Sequence, residues 1–195
     1  MSCGLTIQAV GYCWGANDYG RLGDGGTPEE GRESASPVAI VGDLRFATLY
    51  PGATHTCGIT LDARAFCWGW NRYGQLGNGS HSHSSVPIEV AGDQRWLMLA
   101  LGELHTCGLT DTRLLYCWGN NARGQLGNGR VADESAPQLV AGTYKFVAIT
   151  ASSGAHTCAL TQEGSGFCWG RGDHGQLGTG IMSDSRVPTA VVHER

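Results

Sequence analysis

The stretch Cys107–Gly119, CGLTDTRLLYCWG, decides the fold, because its two cysteines ten residues apart and its Cys-Trp-Gly step occur four times in the chain. The other copies begin at Cys3, Cys57 and Cys158. Intervals of 54, 50 and 51 residues separate the tryptophans of the four copies, Trp14, Trp68, Trp118 and Trp169. A period near 50 residues is typical of units that pack side by side, since one unit cannot bury its apolar face alone. The sequence therefore predicts a repeat array.

The repeat units surround this stretch with the same succession of motifs. An apolar run headed by an aromatic residue, such as Trp96–Leu99, is followed by a glycine and a His-Thr-Cys step. After the Cys-Trp-Gly step comes a glycine-rich loop, such as Gly119–Gly129, and the unit closes on a proline. Short β-prone runs bounded by Gly, Asn, Asp and Pro indicate strands joined by turns, about four in each unit. Four antiparallel strands make one blade of a β-propeller.

The predicted fold class is therefore all-β, with about four propeller blades of about four antiparallel strands in one continuous domain. Glycine supplies 31 of the 195 residues and charged residues only 15%, as expected for a protein rich in strands and loops. We divide the single repeat domain 1–195 into a partial first unit and three complete ones, with the bounds 1–42, 43–92, 93–142 and 143–195.

Charge and hydropathy exclude two classes of partner. The formal net charge of −4 and the pI near 5.9 offer no basic surface to a phosphate backbone, so we do not expect nucleic acid. The longest apolar run, Trp96–Leu101, is far too short to span a bilayer, so we do not expect a membrane either. The first residues, MSCGLT, have neither the basic nor the apolar region of a signal peptide.

The paired cysteines predict four disulfides. Two cysteines placed symmetrically about a hairpin turn face each other across the strands, within reach of a bridge. The expected pairs are Cys3–Cys13, Cys57–Cys67, Cys107–Cys117 and Cys158–Cys168. Eight buried free thiols are the alternative, whereas zinc is disfavoured because no C-x-x-C spacing occurs. Disulfides require an oxidising compartment, so we expect an extracellular or periplasmic protein, although the first residues do not resemble a leader.

The sequence offers little chemistry for catalysis. His55, His105 and His156 recur once per unit and are weak candidates for a metal site near the propeller axis. The favoured interpretation is a repeated histidine that forms structural hydrogen bonds with a neighbouring unit. Neither a G-x-S-x-G nucleophile motif nor a phosphate-binding loop occurs. We therefore expect no cofactor, and an enzyme is less expected than a binding protein.

Loops on one face of the array are predicted to carry recognition, as loops on rigid scaffolds commonly do. Aromatic and arginine side chains dominate binding hot spots, and six of them are our candidates: Tyr19, Trp70, Arg72, Tyr73, Trp96 and Arg123. The four tryptophans of the Cys-Trp-Gly steps are expected in the core, because they repeat without variation. The predicted function is a non-enzymatic module that binds a protein or a glycan. The alternative is a small hydrolase or metal-assisted enzyme with its site near the propeller axis.

The composite pattern His-Thr-Cys-x-Leu-Thr, Cys-Trp-Gly-x-Asn-x-x-Gly-Gln-Leu-Gly-x-Gly and Pro-x-x-Val resembles the regulator of chromosome condensation repeat family. Three units carry the Gly-Gln-Leu-Gly loop, and the first differs from it at Arg21. The resemblance implies a propeller, commonly of seven blades, and the paired cysteines resemble a bacterial secreted-type variant. The family includes nucleotide exchange factors, a secreted inhibitor of β-lactamases and many binding modules, so it narrows the function weakly.

The first unit is incomplete, which leaves the closure of the ring undecided. Met1 occupies the position of His55, His105 and His156, so this unit lacks its aromatic first strand, and the next such strand would fall beyond Arg195. The chain is then either a piece of a longer ring or a half-ring whose unpaired edges associate with a second copy. We expect the homodimer, in which two copies complete a ring of about eight blades.

Overall fold

The computed structural model describes residues 1–26, 33–151 and 154–192, and the strands in these ranges form four antiparallel sheets. The first sheet has three strands, β1 (Ser2–Leu5), β2 (Gly11–Ala16) and β3 (Glu33–Ala39). The second has four, β4 (Phe46–Pro51), β5 (His55–Thr60), β6 (Ala65–Gly69) and β7 (Ser84–Glu89). The third has β8 (Trp96–Leu101), β9 (His105–Thr110), β10 (Leu115–Gly119) and β11 (Glu134–Leu139). The fourth has β12 (Phe146–Ala151), β13 (His156–Thr161), β14 (Gly166–Gly170) and β15 (Ser185–Ala190).

Each sheet is a meander of strands that pair in chain order, which is the arrangement of a propeller blade. The proline of each unit lies in the last strand of its sheet, at the edge, where the missing N–H disrupts no ladder. The all-β fold of propeller blades is confirmed. The division of 1–195 into units of one domain stays a prediction, which the cooperativity of unfolding would test.

The paired cysteines are bonded as predicted. Cys107 faces Cys117 in the register of β9 and β10, and the equivalent pair faces across the hairpin of every other sheet. All four disulfides join cysteines whose Cα atoms lie 4.1 Å apart. The described chain has no free cysteine, so the alternative of eight free thiols is wrong for this structure.

Apolar cores lie between consecutive sheets. Between the second and third sheets, for example, the Cys57–Cys67 disulfide and Ile59 pack against Trp96, Leu99 and Trp118. One face of a sheet therefore contributes its disulfide, and the facing sheet contributes its tryptophan and the aromatic residue of its first strand. Because no sheet has a core of its own, the sheets stabilise one another in sequence.

A recurrent set of polar contacts fixes each sheet against the next. The backbone carbonyl of Gln75 accepts hydrogen bonds from the Trp118 indole N–H (2.9 Å) and from the Thr106 hydroxyl (2.9 Å). The carbonyl of Arg21 accepts from the indole and the threonine hydroxyl of the second sheet (3.0 and 2.8 Å). The carbonyl of Gln125 accepts from the same two groups of the fourth sheet (3.0 and 3.0 Å). We call this set, a loop carbonyl with the indole and hydroxyl of the next sheet, the blade lock.

The array does not close into a ring within the part of the chain that the structure describes. Its first sheet lacks the strand that leads the other three. Trp68, Trp118 and Trp169 are fully buried, but Trp14 is only partly buried, so the prediction of four core tryptophans is wrong for Trp14. The reason is that no described sheet packs against the face of the first sheet that carries Trp14. No described helix has the length and apolar character needed to cross a membrane.

Candidate functional site

The glycine-rich loops that follow β2, β6 and β10 are built on buried asparagines, whereas the loop that follows β14 has Gly172 at this position. In the second unit, the Asn71 Oδ1 accepts from the Leu76 N–H (2.9 Å), and its Nδ2 donates to the carbonyls of Ser80 and Ser82 (both 3.0 Å). Asn121 repeats these bonds in the third unit, and Asn17 repeats the first of them in the first unit. The asparagines therefore hold the loops as a rigid frame for the side chains at their surface.

An aromatic cluster joins the loops of the first and second units. The rings of Tyr19 and Trp70 are stacked, with centroids 5.4 Å apart and planes 21° apart. Tyr73 meets Trp70 edge-on at 5.8 Å, and His83 approaches Tyr19 at 5.2 Å. We refer to Tyr19, Trp70, Tyr73 and His83 as the aromatic cluster. It brings together three of the six predicted binding residues.

Tyr19 reaches Trp70 through an unusual backbone conformation. Its φ of 59° and ψ of 17° lie in the left-handed region, which costs a non-glycine residue about 1 kcal/mol or more. At the equivalent positions of later units, a glutamine side chain accepts from the backbone N–H, as Gln75 does from Tyr73 (3.0 Å). The first unit has Arg21 there instead, which has no acceptor and donates to the carbonyls of Ala16 (3.0 Å) and Ala53. The replacement of the repeated glutamine by Arg21 thus accompanies the stacked position of Tyr19.

Trp70 also comes at a cost to local hydrogen bonding. In the third unit, the Gln125 Nε2 donates to the Oδ1 of Asn120 (2.6 Å). Trp70 occupies the position of Asn120 and offers no acceptor, and the buried Nε2 of Gln75 has no partner among the described residues. An unsatisfied buried donor costs about 1–3 kcal/mol. Residues that lower stability without improving the packing are expected at functional sites. Two such features, the left-handed backbone of Tyr19 and the unpartnered Nε2 of Gln75, occur at the aromatic cluster.

His83 is held by the frame of its own loop. Its Nδ1 accepts from the backbone N–H of Asn71 (2.9 Å), so the neutral ring carries its proton on Nε2. Asp133 makes the same bond to Asn121 in the third unit (2.7 Å). Partial burial lowers the pKa of His83, which favours the neutral ring that this bond requires. His83 was not among the six predicted binding residues; its equivalence to Asp133 was the available signal.

A depression of about 350 Å³ adjoins the cluster and is lined by Asp18, Tyr19, Arg21 and Thr54. Arg21 forms an ion pair with Asp18 at its rim. The exposed Arg72 lies beside the cluster in the second loop and makes no ion pair among the described residues. The surface therefore offers aromatic faces, the exposed cation of Arg72 and the paired carboxylate of Asp18 to a ligand.

Two of the predicted binding residues lie elsewhere. Trp96 is 3% exposed and packs on Trp118 with ring centroids 5.5 Å apart, so it belongs to the core and cannot contact a ligand. The reason is that it leads β8, as Phe46 leads β4, and the face of this strand is covered by the previous sheet. Arg123 is exposed in the loop of the third unit, where it pairs with Asp184 (3.2 Å), outside the aromatic cluster.

Two of the three repeated histidines link consecutive sheets instead of forming a metal site. The Nε2 of His55 bonds the Thr106 hydroxyl (2.7 Å), and the Nε2 of His105 bonds the Thr157 hydroxyl (2.9 Å). Since each hydroxyl already donates to a loop carbonyl, the imidazole N–H is the donor in these bonds. Residues 1–26, 33–151 and 154–192 contain no group of three His, Cys, Asp or Glu side chains placed to hold a metal.

Burial keeps two of these histidines neutral. Desolvation, with a smaller contribution from the neighbouring His105, lowers the pKa of His55 from 6.5 to about 3. Desolvation, with a contribution from His156, lowers the pKa of His105 to about 4. The half-buried His156 shows a lowered pKa for the same reason. Neutral, hydrogen-bonded imidazoles in a core hold sheets together and are closed to solvent.

The repeats match a described family. The sequence profile of the regulator of chromosome condensation (RCC1) repeat matches residues 12–59, 62–109, 114–160 and 163–195. A second profile of the same repeat matches 99–125 and 146–176. Among curated proteins, the ultraviolet-B receptor UVR8 of Arabidopsis thaliana is 34% identical over 84 residues, which are 42% of this chain and 18% of that protein.

Solved structures show the same architecture. Human WBSCR16 superposes with a TM-score of 0.85 and 24% identity over 98% of this chain and 50% of its own. Yeast RCC1 (Prp20), crystallised with Kap60, superposes with a TM-score of 0.84 and 22% identity over 98% of this chain and 46% of its own. These likenesses establish the fold. The chain spans about half the length of these propeller chains.

Proposed function

This chain belongs to the regulator of chromosome condensation (RCC1) repeat family, and from that premise we propose that it is a non-enzymatic interaction module that binds a protein through the aromatic cluster. The observation that carries the proposal is the meeting of Tyr19 and Trp70, from two different blades, on one loop face. Tyrosine and tryptophan give large contact areas at a low cost in conformational entropy, which is why they dominate protein-binding surfaces.

Two properties of the cluster support a role in binding. The left-handed Tyr19 and the unpartnered Nε2 of Gln75 both lower stability, so these residues are not explained by folding. The exposed Arg72 adds a cation at the edge of the aromatic surface. We infer a ligand segment that presents an apolar or aromatic side chain beside a carboxylate.

Relatives favour a protein ligand over a glycan. Yeast Prp20 binds Kap60 in its crystal structure, and binding properties towards Gsp1p and histones are described for it. This chain spans only about half of that protein, so those partners themselves are not carried over. What supports the proposal is the shared use of a propeller as a surface for other proteins.

We propose an oxidising compartment, extracellular or periplasmic, because four disulfides form the centres of the four hairpins.

We also propose that two copies of the module pair to form its working unit, because the described array leaves the two ends of its blade series open. The aromatic cluster lies between the first and second blades, so pairing at the ends leaves it accessible.

The test is a selection of binding peptides with the non-reduced protein, using a random peptide library displayed on phage. We expect peptides with aromatic and acidic residues, and we expect Trp70→Asn to lose their binding. Asparagine restores the acceptor that Asn120 gives Gln125, so this variant should keep or raise the melting temperature. Loss of binding would then not be caused by unfolding.

The matched control is Ile181→Ala, which removes an exposed apolar side chain (62% exposed) from the fourth unit, far along the array. We expect it to bind the selected peptides as the native chain does. Equal binding by Trp70→Asn and the native chain would refute the aromatic cluster as the site. Enrichment only on a glycan array run in parallel would refute a protein ligand.

A further inference from the structure

The outward face of the fourth sheet has an apolar groove. The groove measures about 280 Å³, and its lining includes Ala148, the Cys158–Cys168 disulfide, Leu160, Gly166 and Val191, which we call the socket. Leu160 is 41% exposed, whereas its equivalents Ile59 and Leu109 are 4% and 0% exposed. No other sheet in residues 1–26, 33–151 and 154–192 covers this face.

The equivalent face of the third sheet shows what the socket is shaped to hold. There the Cys107–Cys117 disulfide, Leu109 and Val140 are buried beneath Phe146 and Trp169 of the fourth sheet. The loop that closes the third unit completes the contact, because a Cβ at Gly127 would lie 2.6 Å from the Nε1 of Trp169. At Gly178, the equivalent position of the fourth unit, the nearest atom is instead Val191 Cγ1, at 3.1 Å. The place of a tryptophan above the socket is thus empty.

The fourth unit also carries the polar half of the blade lock. Gln176 occupies the position of Gln75 and Gln125, whose backbone carbonyls accept from an indole and a hydroxyl of the next sheet. Its side chain accepts from the His174 N–H (2.8 Å), as Gln125 accepts from Arg123 (2.9 Å), so the loop has the same conformation at this point. The backbone carbonyl of Gln176 is therefore placed to accept hydrogen bonds from an indole and a hydroxyl of a further sheet.

The first sheet presents the complementary groups on its open face. Ser2 lies opposite Trp14 in the register of β1 and β2, as Thr157 lies opposite Trp169 in the fourth sheet. Ser2 is exposed and Trp14 partly exposed, unlike Thr157 and Trp169, which are fully buried. We call Ser2 and Trp14 the leading edge. It supplies a hydroxyl and an indole at the spacing that the blade lock uses.

We propose that the socket binds the leading edge of a second copy of this chain, with the Trp14 ring on the Cys158–Cys168 disulfide and the Trp14 indole and Ser2 hydroxyl donating to the Gln176 carbonyl. This proposal rests on the pairing of two copies under the proposed function and names the residues that form the contact. Two such joints, related by a twofold axis, close the two arcs into one ring. The leading edge has no counterpart of Phe146, so each joint buries less apolar surface than an internal one.

A second copy fits this site better than an unrelated protein. Three internal joints use a loop carbonyl, an indole and a hydroxyl, and the first sheet of a second copy presents the same indole and a hydroxyl in the same register. The arc superposes over 98% of its length on half of the WBSCR16 chain, so a second arc supplies the length of the other half. Burial of the exposed Leu160 and the partly exposed Trp14 is the driving force.

The test measures the mass of the non-reduced chain by sedimentation equilibrium over a hundredfold range of concentration. We expect a dimer, and we expect Leu160→Glu to raise its dissociation constant by about a hundredfold or more, because the carboxylate would be buried without a partner. Leu139→Glu is the matched control, since Leu139 is 48% exposed on β11 and lies outside the socket. It should dimerise as the native chain does. Trp14→Ala, on the opposite surface, should weaken the dimer as Leu160→Glu does.

The outcomes separate the inference from the proposals on which it rests. A dimer that Leu160→Glu and Trp14→Ala leave intact would overturn the socket but not the pairing. A monomer at every concentration would overturn both. An assembly larger than two copies would overturn the closed ring. None of these results changes the peptide selection, which tests the aromatic cluster by itself.

Discussion

At the residue scale, buried histidines determine how the protein responds to acid. His55 and His105 donate to threonine hydroxyls of the next sheet and must stay neutral to keep their place in the core. Their pKa values in the folded chain, about 3 and about 4, lie below the ordinary value of 6.5. The unfolded chain therefore binds protons first as the pH falls. The two histidines therefore leave the free energy of unfolding unchanged above pH 6.5 and lower it progressively as the pH falls below this value.

We expect His105→Gln to flatten this dependence. The drop in the pKa of His105 from 6.5 to about 4 corresponds to roughly 3 kcal/mol of stability, lost between these pH values. Glutamine keeps a donor for Thr157 but does not titrate. Urea unfolding at pH 7.5 and pH 4.5 should show a smaller loss for the variant than for the native chain. His156→Gln is the control, because His156 is only half-buried, and it should change the loss less. If His105→Gln and the native chain lost the same free energy of unfolding between these two pH values, the low pKa of buried His105 would be contradicted.

Single residues also show where sequence reasoning ends. Trp70 and Trp96 are both tryptophans outside the Cys-Trp-Gly steps, yet one joins the aromatic cluster and the other the core. Alignment with Phe46 and Phe146 places Trp96 at the head of a first strand, which was a signal of burial. The stacking of Tyr19 on Trp70 had no such signal, because it depends on the left-handed backbone of Tyr19 and on contact between two units.

At the scale of the element, the glycines of the loops separate two physical effects. Gly77 and Gly79 both have a positive φ, of 72° and 80°. A Cβ at Gly77 would lie 2.5 Å from the Nε1 of Trp118, within the blade lock, whereas a Cβ at Gly79 would meet nothing within 4 Å. The first position needs glycine for space and for conformation, and the second for conformation alone.

We therefore expect Gly77→Ala to destabilise the chain by about 3 kcal/mol and Gly79→Ala by about 1 kcal/mol. The difference arises from the overpacking of Trp118, which the second variant avoids. Free energies of unfolding from urea titrations, with Trp fluorescence as the signal, measure both. Equal losses in the two variants would show that the loop does not press on the tryptophan of the next sheet.

The hairpins depend on their disulfides because each sheet is narrow and shares its cores with neighbours. Replacing both Cys107 and Cys117 by alanine should cost about 2–3 kcal/mol, since the loop that the bond closes spans only 10 residues. We expect one cooperative transition at a lower denaturant concentration. Peptide mass mapping of the native chain without reduction checks the premise. Unlinked cysteines in that material, or an unchanged midpoint in the variant, would contradict it.

At the scale of the whole molecule, the repeat explains the fold better than the function. The spacing of cysteines, tryptophans and glycines predicted the blades, the four disulfides and the structural role of the histidines, because each of these is a contact repeated from unit to unit. The aromatic cluster and the socket depend instead on what differs: Arg21 and Trp70 in the first two units, and the open ends of the array. A repeat pattern is defined by the residues that the units share, so it does not predict contacts made by residues that differ between units.

The contact of each loop carbonyl and glycine with the tryptophan of the next sheet builds the arc and brings Tyr19 to Trp70. Hydrogen exchange of the indole N–H groups, followed by NMR of the non-reduced chain, measures whether this contact forms. We expect slow exchange for Trp68, Trp118 and Trp169, whose N–H groups donate to loop carbonyls, and fast exchange for Trp70, whose side chain lies in the aromatic cluster. Exchange of those three indoles as fast as that of Trp70 would contradict it.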